Sequence, residues 1–147
     1  MKADTLKYNG KNLRLVGDDG KTKWEGRAYS GKPGTTAADQ TKPWLGPIPA
    51  GRYTLNPNEI SHVTGLRYSL RSVTGDWGHY RAPLHPAPGT DTHGRDNFFL
   101  HGGSTPGSAG CIDICNLENG LFPLLQQHQG TITVIVDYPS PTTKPTP

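Results

Sequence analysis

The chain has 147 residues, and hydrophobic types make up 32% of them, enough to fill one modest core and hardly two. Nineteen glycines and fourteen prolines are too few for a low-complexity polymer and too many for a helical bundle, so turns and short strands are expected. The formal charge of +3 is weighted toward the first fifty residues but forms no basic run, which argues against a nucleic-acid binder.

In chain order, MKADTLKYNG lacks the apolar core of a secretion signal. No later apolar stretch approaches the roughly 18 residues of a membrane span. A soluble chain without membrane insertion is expected, exported by another route. Leu6 to Tyr8, Leu13 to Val16 and Lys23 to Ala28 read as short strands divided by NGK and DDGK turns, the pattern of a β-meander. Polar SGKPGTTAADQTKP, residues 30–43, reads as a long surface loop. Two prolines in WLGPIPAGRYTL then lead into a strand from about Arg52 to Leu55.

Alternation of Tyr68, Leu70 and Ser72 against Arg67, Ser69 and Arg71 predicts a further strand. DWGHYRAPLHPAPGTDTHGRD, residues 76–96, reads as a His-rich loop forming the lid or wall of a cleft. NFFLH, residues 97–101, reads as a buried strand, followed by the Gly-rich GGSTPGSAG and then by apolar character from Cys111 to Ile114. Leu117, Leu121, Leu124, Leu125 and His128 fall at helical spacing, with Asn116 as cap and Gly130 as stop. Pro123 permits a short turn before it and a helix after it, or a helix beginning near Leu121. TITVIV, residues 131–136, is the final strand, and residues 139–147 form a flexible Pro/Thr-rich tail. The sum is one mostly β domain (β-rich α+β) over residues 1–138.

The chemistry concentrates in FFLHGGSTPGSAGCIDI. His101 ends a strand and Cys111 follows ten residues later, across a loop with enough glycine to fold back and join the two. Cysteine attacks as a thiolate, and a free thiol with a pKa of roughly 8.5 is mostly protonated at neutral pH. An adjacent imidazole takes that proton and later returns it to a leaving amine. Backbone N–H groups of Gly110 and Cys111 are candidates to hold the oxyanion of a tetrahedral intermediate. Cys115, four residues on, reads as structural. On a continuous strand its Cα would stand about 13 Å from that of Cys111, too far for a disulfide without a bend or helix. His79, His85 and His93 with Asp76, Asp91 and Asp96 show no HxH or HxxxH spacing, so no metal or cofactor is expected. His62 and His128 read as structural.

The order strand, His101-Gly102, Ser108-Ala109-Gly110-Cys111-Ile112, helix and final strand resembles the YkuD-type L,D-transpeptidase domain. SGKPG at 30–34, GPIPAGRY at 46–53 and GTITVIVDY at the end extend the resemblance over residues 6 to about 138. It implies a YkuD-like β-sandwich of short strands with one or two short helices after the catalytic cysteine. It also implies acyl transfer on peptidoglycan stem tetrapeptides, by carboxypeptidase or by transpeptidase and D-amino acid exchange chemistry. Cys111 would be the nucleophile and His101 the base and then the acid. The Gly102 carbonyl would orient His101, Ser108 would hold the loop, and Gly110 would lie beside the nucleophile.

Ala109 stands where that family usually has His, and Asp113 where an Arg commonly follows. Both departures, with the HGG that includes Gly103, resemble the shorter branch found among type VI secretion effectors. That branch implies the type VI machinery and an immunity protein as partners, and a site of action in the periplasm of rival bacteria. On the substrate side the resemblance points to Gly103, Ala109 and Asp113, with Arg95 supplying the missing cation or lying on the surface. Trp77 and Tyr80 would touch glycan or stem, or shield the core. Cysteine endopeptidases of the NlpC type place Cys before His, the opposite of the order here. An inactive or phage-associated wall-binding module would keep the fold without turnover.

Overall fold

In the computed structural model, residues 4–31, 35–42, 46–62, 80–95, 98–102 and 108–138 are described. The strands among them are β1 (Thr5–Tyr8), β2 (Asn12–Val16), β3 (Thr22–Arg27), β4 (Tyr29–Gly31), β5 (Gly51–Leu55), β6 (Ser61–His62), β7 (Tyr80–Pro86), β8 (Phe98–His101), β9 (Ser108–Asp113) and β10 (Ile132–Val136). A 3-10 turn over Cys115–Leu117 leads into the helix α1 (Glu118–Gln127). The strands form one continuous sheet in the order β3-β2-β1-β10-β5-β7-β8-β9-β4, with β6 added on β7. The two edge strands β3 and β4 are separated in the chain by Ala28 alone, which is fully buried. A one-residue link between opposite ends forces the sheet to curl until those ends approach, so the halves of the expected sandwich belong to a single nearly closed sheet.

Period-two alternation fills the interior. Leu6 and Tyr8 of β1, Leu13 and Leu15 of β2, Tyr53 and Leu55 of β5, and Ile132, Val134 and Val136 of β10 all belong to the buried cluster. β10 is parallel to β1 and antiparallel to β5, so the last strand ties the N-terminal meander to the half that carries β8 and β9. α1 closes the interior with Leu121, Phe122 and Leu125, each fully buried, while Leu117 and Leu124 are exposed.

Two expectations are corrected. The span 76–96 is not a loop throughout, because Tyr80–Pro86 is the strand β7 between β5 and β8. Its two prolines disguise the alternation of buried Tyr80, Ala82 and Leu84 with outward Arg81, Pro83 and His85. Pro83 is tolerated because β6 pairs at residues 80–81 and β5 at 85–86, which leaves a gap on that side where a missing N–H breaks no ladder. The helix, in turn, neither follows Pro123 nor begins near Leu121, but runs through Pro123 from Glu118. An interior proline costs about 3 kcal/mol. Three fully buried side chains at about 1.5–3 kcal/mol each outweigh it. The expected surface loop at 30–43 contributes β4 and a 3-10 turn over Ala37–Asp39. The strand expected around Tyr68–Ser72 and the tail 139–147 lie outside the described residues.

Candidate active site

β8 and β9 run parallel with Leu100 opposite Ile112 and His101 opposite Asp113. Alternation sends Phe98, Leu100 and Ile112 into the core and places His101, Cys111 and Asp113 on the other face. Cys111 therefore lies one pleat along the neighbouring strand from the partner of His101. A strand spacing of about 4.8 Å and a rise of about 3.3 Å per residue put their Cα atoms about 8 Å apart, a span that an imidazole and a thiol reach across together. Both side chains are shielded, His101 at 1% and Cys111 at 2% exposure.

The ring of His101 is held by a backbone carbonyl. Its Nδ1 lies 2.7 Å from the Gly102 oxygen, and because a carbonyl only accepts, Nδ1 carries the proton and Nε2 the basic lone pair. The backbone is pinned from both sides, since the His101 carbonyl accepts from Ile114 N–H at 3.0 Å and Gly102 N–H donates to the Tyr80 carbonyl at 3.3 Å.

Gly110 precedes the thiol with φ +75°, a conformation that favours glycine. A Cβ there would meet Arg95 Nη2 at 3.0 Å and the Phe98 ring at 3.5 Å. The Gly110 N–H donates to the Gly46 carbonyl at 2.9 Å, so in this arrangement it is committed and does not serve as the expected oxyanion donor.

Arg95 is placed differently from the expectation. It lies in the turn before β8 rather than on the strand, is 8% exposed, and turns inward. Nη1 donates to the carbonyls of Gln40 at 2.6 Å and Pro47 at 2.7 Å, and Nη2 to that of Gly46 at 2.9 Å. The guanidinium also lies 6.0 Å from the centroid of the Phe98 ring. It is not a surface group, and its donors are engaged by backbone carbonyls. Burial holds its pKa below the ordinary arginine value, opposed by the nearby Tyr53, Tyr138 and Cys111.

A family model for the Tlde1 domain matches residues 25–134. The chain belongs to the Tlde1 domain family. Members of that family are type VI effectors of L,D-transpeptidase kind. Among solved structures, L,D-transpeptidase 1 of Mycobacterium tuberculosis is similar, with a TM-score of 0.49 and 15% identity over 92% of this chain and 62% of that one. The chain thus spans less than two thirds of that protein. A comparison with curated proteins found no match.

Within the Tlde1 domain the remaining candidate residues separate clearly. Tyr80 takes the core role, stacked on Phe122 with ring centroids 5.0 Å apart and planes at 6°. Asp113 is fully buried and spends Oδ1 on the Cys115 N–H at 2.8 Å, instead of facing a substrate as expected. Gly103 and Trp77 lie outside the described residues, as do the side chains of Ser108 and Ala109, whose backbones open β9. Neither Cys111 nor Cys115 forms a disulfide, and Cys115 has left the strand with φ +53°.

His85 pairs with Glu59 at 2.8 Å and His93 with Asp91 at 3.6 Å. His128 accepts from Asp4 N–H at 3.1 Å and lies 3.1 Å from the Gly130 carbonyl, a structural role. Among the described residues no group of three metal-ligating side chains occurs. Sequence reasoning missed Gly46, whose carbonyl receives both Arg95 and Gly110. The one available signal was the Gly-Pro dipeptide, which marks a turn but not its partners.

Proposed function

We propose that this Tlde1 domain is a cysteine acyl-transfer enzyme that cleaves or exchanges the terminal D-alanine of peptidoglycan tetrapeptide stems. The observation that carries the reading is the register placing His101 and Cys111 on one face of neighbouring strands, with Nε2 left as the basic nitrogen.

In the proposed reaction, His101 Nε2 takes the proton of Cys111 and the sulfur attacks the carbonyl at the L-centre of diaminopimelate. The tetrahedral intermediate collapses as the C–N bond breaks. The imidazolium gives its proton to the departing amine, and a thioester remains on Cys111. Water releases a tripeptide stem; the amine of a D-amino acid or of a neighbouring stem forms a new amide instead. Asp113 and Arg95 take no direct part, and since Gly110 N–H is committed to Gly46, the oxyanion donors come from elsewhere.

Type VI family membership supports delivery into the periplasm of a target cell, where stem peptides are found, with an immunity protein protecting the producer. Incubating purified protein with defined tetrapeptide muropeptides tests the reading. Conversion to tripeptides, or incorporation of a supplied D-amino acid, that vanishes in Cys111→Ala is the expected result. Binding without turnover in both proteins would favour a wall-binding module.

A further inference from the structure

We infer that Arg95 is a positioning residue for the nucleophile, a buried cation that stabilises the Cys111 thiolate while its hydrogen bonds fix the backbone on which Cys111 stands. The inference rests on the reading of Cys111 as nucleophile.

A buried arginine ordinarily has a carboxylate partner. Arg95 is 8% exposed, yet among the described residues its hydrogen bonds go to three neutral carbonyls, and no carboxylate of those residues lies within 4.0 Å of it. Carbonyl dipoles solvate the guanidinium without cancelling its charge. Its Nη2 packs against Gly110, at 3.0 Å from where a Cβ would stand, so the cation abuts the backbone of the residue before the thiol. The Gly46 oxygen accepts from both Arg95 Nη2 and Gly110 N–H, each at 2.9 Å. One atom thereby ties the cation to the backbone beside Cys111. Burial lowers the Arg95 pKa, and Cys111, after Tyr53 and Tyr138, is among the neighbours that oppose that shift.

Among the described residues, the other titratable and charged groups on the elements around Cys111 are placed as follows. His101 faces it from β8, and Asp113, along β9, opposes a thiolate. Tyr29 lies opposite Asp113 on β4 and beneath the Arg27 guanidinium at 5.1 Å. Tyr53 and Tyr138 are held neutral, their pKa values raised by burial. Arg81, opposite His101 on β7, sits 5.4 Å from the centroid of Phe99. Arg95 is thus the cation packed against the chain next to Cys111, and His101 is the partner that exchanges a proton with it.

The test is the pH profile of Cys111 alkylation by iodoacetamide in the folded full chain, resolved from Cys115 by peptide mass spectrometry. Arg95→Gln is expected to slow alkylation at pH about 6.5 by about tenfold, while leaving the rate at pH about 9.5 within about twofold, because one unit of thiol pKa is a tenfold change in thiolate. An Arg95→Gln profile that superimposes on wild type, or one slowed equally at every pH, overturns the inference.

If Arg95→Gln does not fold, His101→Gln decides. A thiol that still titrates below the ordinary value of about 8.5 supports the role of Arg95, and one at or above that value overturns it. An ordinary thiol profile in the wild-type protein would instead sink the nucleophile reading itself, which keeps the two failures distinct.

Discussion

His101 donates from Nδ1 to the carbonyl oxygen of Gly102 across 2.7 Å. That bond fixes the tautomer through the backbone, so the proposed base depends on backbone geometry at the end of β8. His101→Ala is expected to lower turnover of tetrapeptide stems by about 10²–10⁴-fold, the usual worth of a positioned general base, with the fold retained. Tripeptide release followed by chromatography measures it, and a loss under tenfold would remove His101 from the mechanism.

Gly46, from a distant loop, holds the backbone beside Cys111, the proposed nucleophile. A methyl group there would overlap the Asp39 carbonyl, so Gly46→Ala must displace the turn whose oxygen receives Arg95 and Gly110. Turnover is expected to fall at least tenfold, with circular dichroism showing the strands intact, because positioning errors of about 1 Å cost about 10²-fold. Unchanged turnover would show that the bond from Gly110 to Gly46 is dispensable.

Tyr80 and Phe122 form a stacked pair that closes α1 over the sheet. Phe122→Ala is expected to destabilise the fold by about 3–5 kcal/mol, read as a lowered midpoint in thermal or denaturant unfolding. Tyr80→Phe keeps the ring and is expected to leave turnover within about twofold, as fits a core aromatic. Lost turnover at unchanged stability in Tyr80→Phe would return that ring to the substrate cleft.

Asp39 caps its own turn by accepting from Thr36 N–H at 3.0 Å and pairs with Lys42 at 2.9 Å. The Thr36 bond, and then Lys42, hold its pKa below the ordinary aspartate value. Such a carboxylate contributes fully above that ordinary value and loses its contribution as pH falls through the lowered one. Hydrogen exchange at the Thr36 amide, corrected for intrinsic rate, is expected to quicken as pH drops from about 5 to about 3. Asp39→Asn should exchange faster already at the higher pH. Protection indifferent to both changes would refute the cap.

Much of the architecture was readable from pattern. The meander strands, the strand after GPIPAG, NFFLH and TITVIV all follow apolar alternation and turn residues, and each appears within a residue or two of its expected position. β7 was hidden because proline at 83 and 86 reads as loop, and only the gap between β5 and β6 makes a strand possible there. The course of α1 was hidden for the same kind of reason, since the burial that outweighs Pro123 comes from the sheet and not from the helix itself.

What the sequence alone determined is that His101 and Cys111 stand on neighbouring strands, because short-range features carry it: a strand ending in His, a glycine-rich return and a second strand bearing the thiol. Tertiary structure decided the fate of the groups around that pair. Arg95 bonds to Gln40 and Gly46, 55 and 49 residues away, Gly110 bonds to Gly46, and Tyr80 stacks on the helix that follows β9. A charged, glycyl or aromatic residue looks the same in sequence whether it faces a substrate or the interior. The difference lies in hydrogen-bond partners and burial, which exist only after segments far apart in the chain have come together.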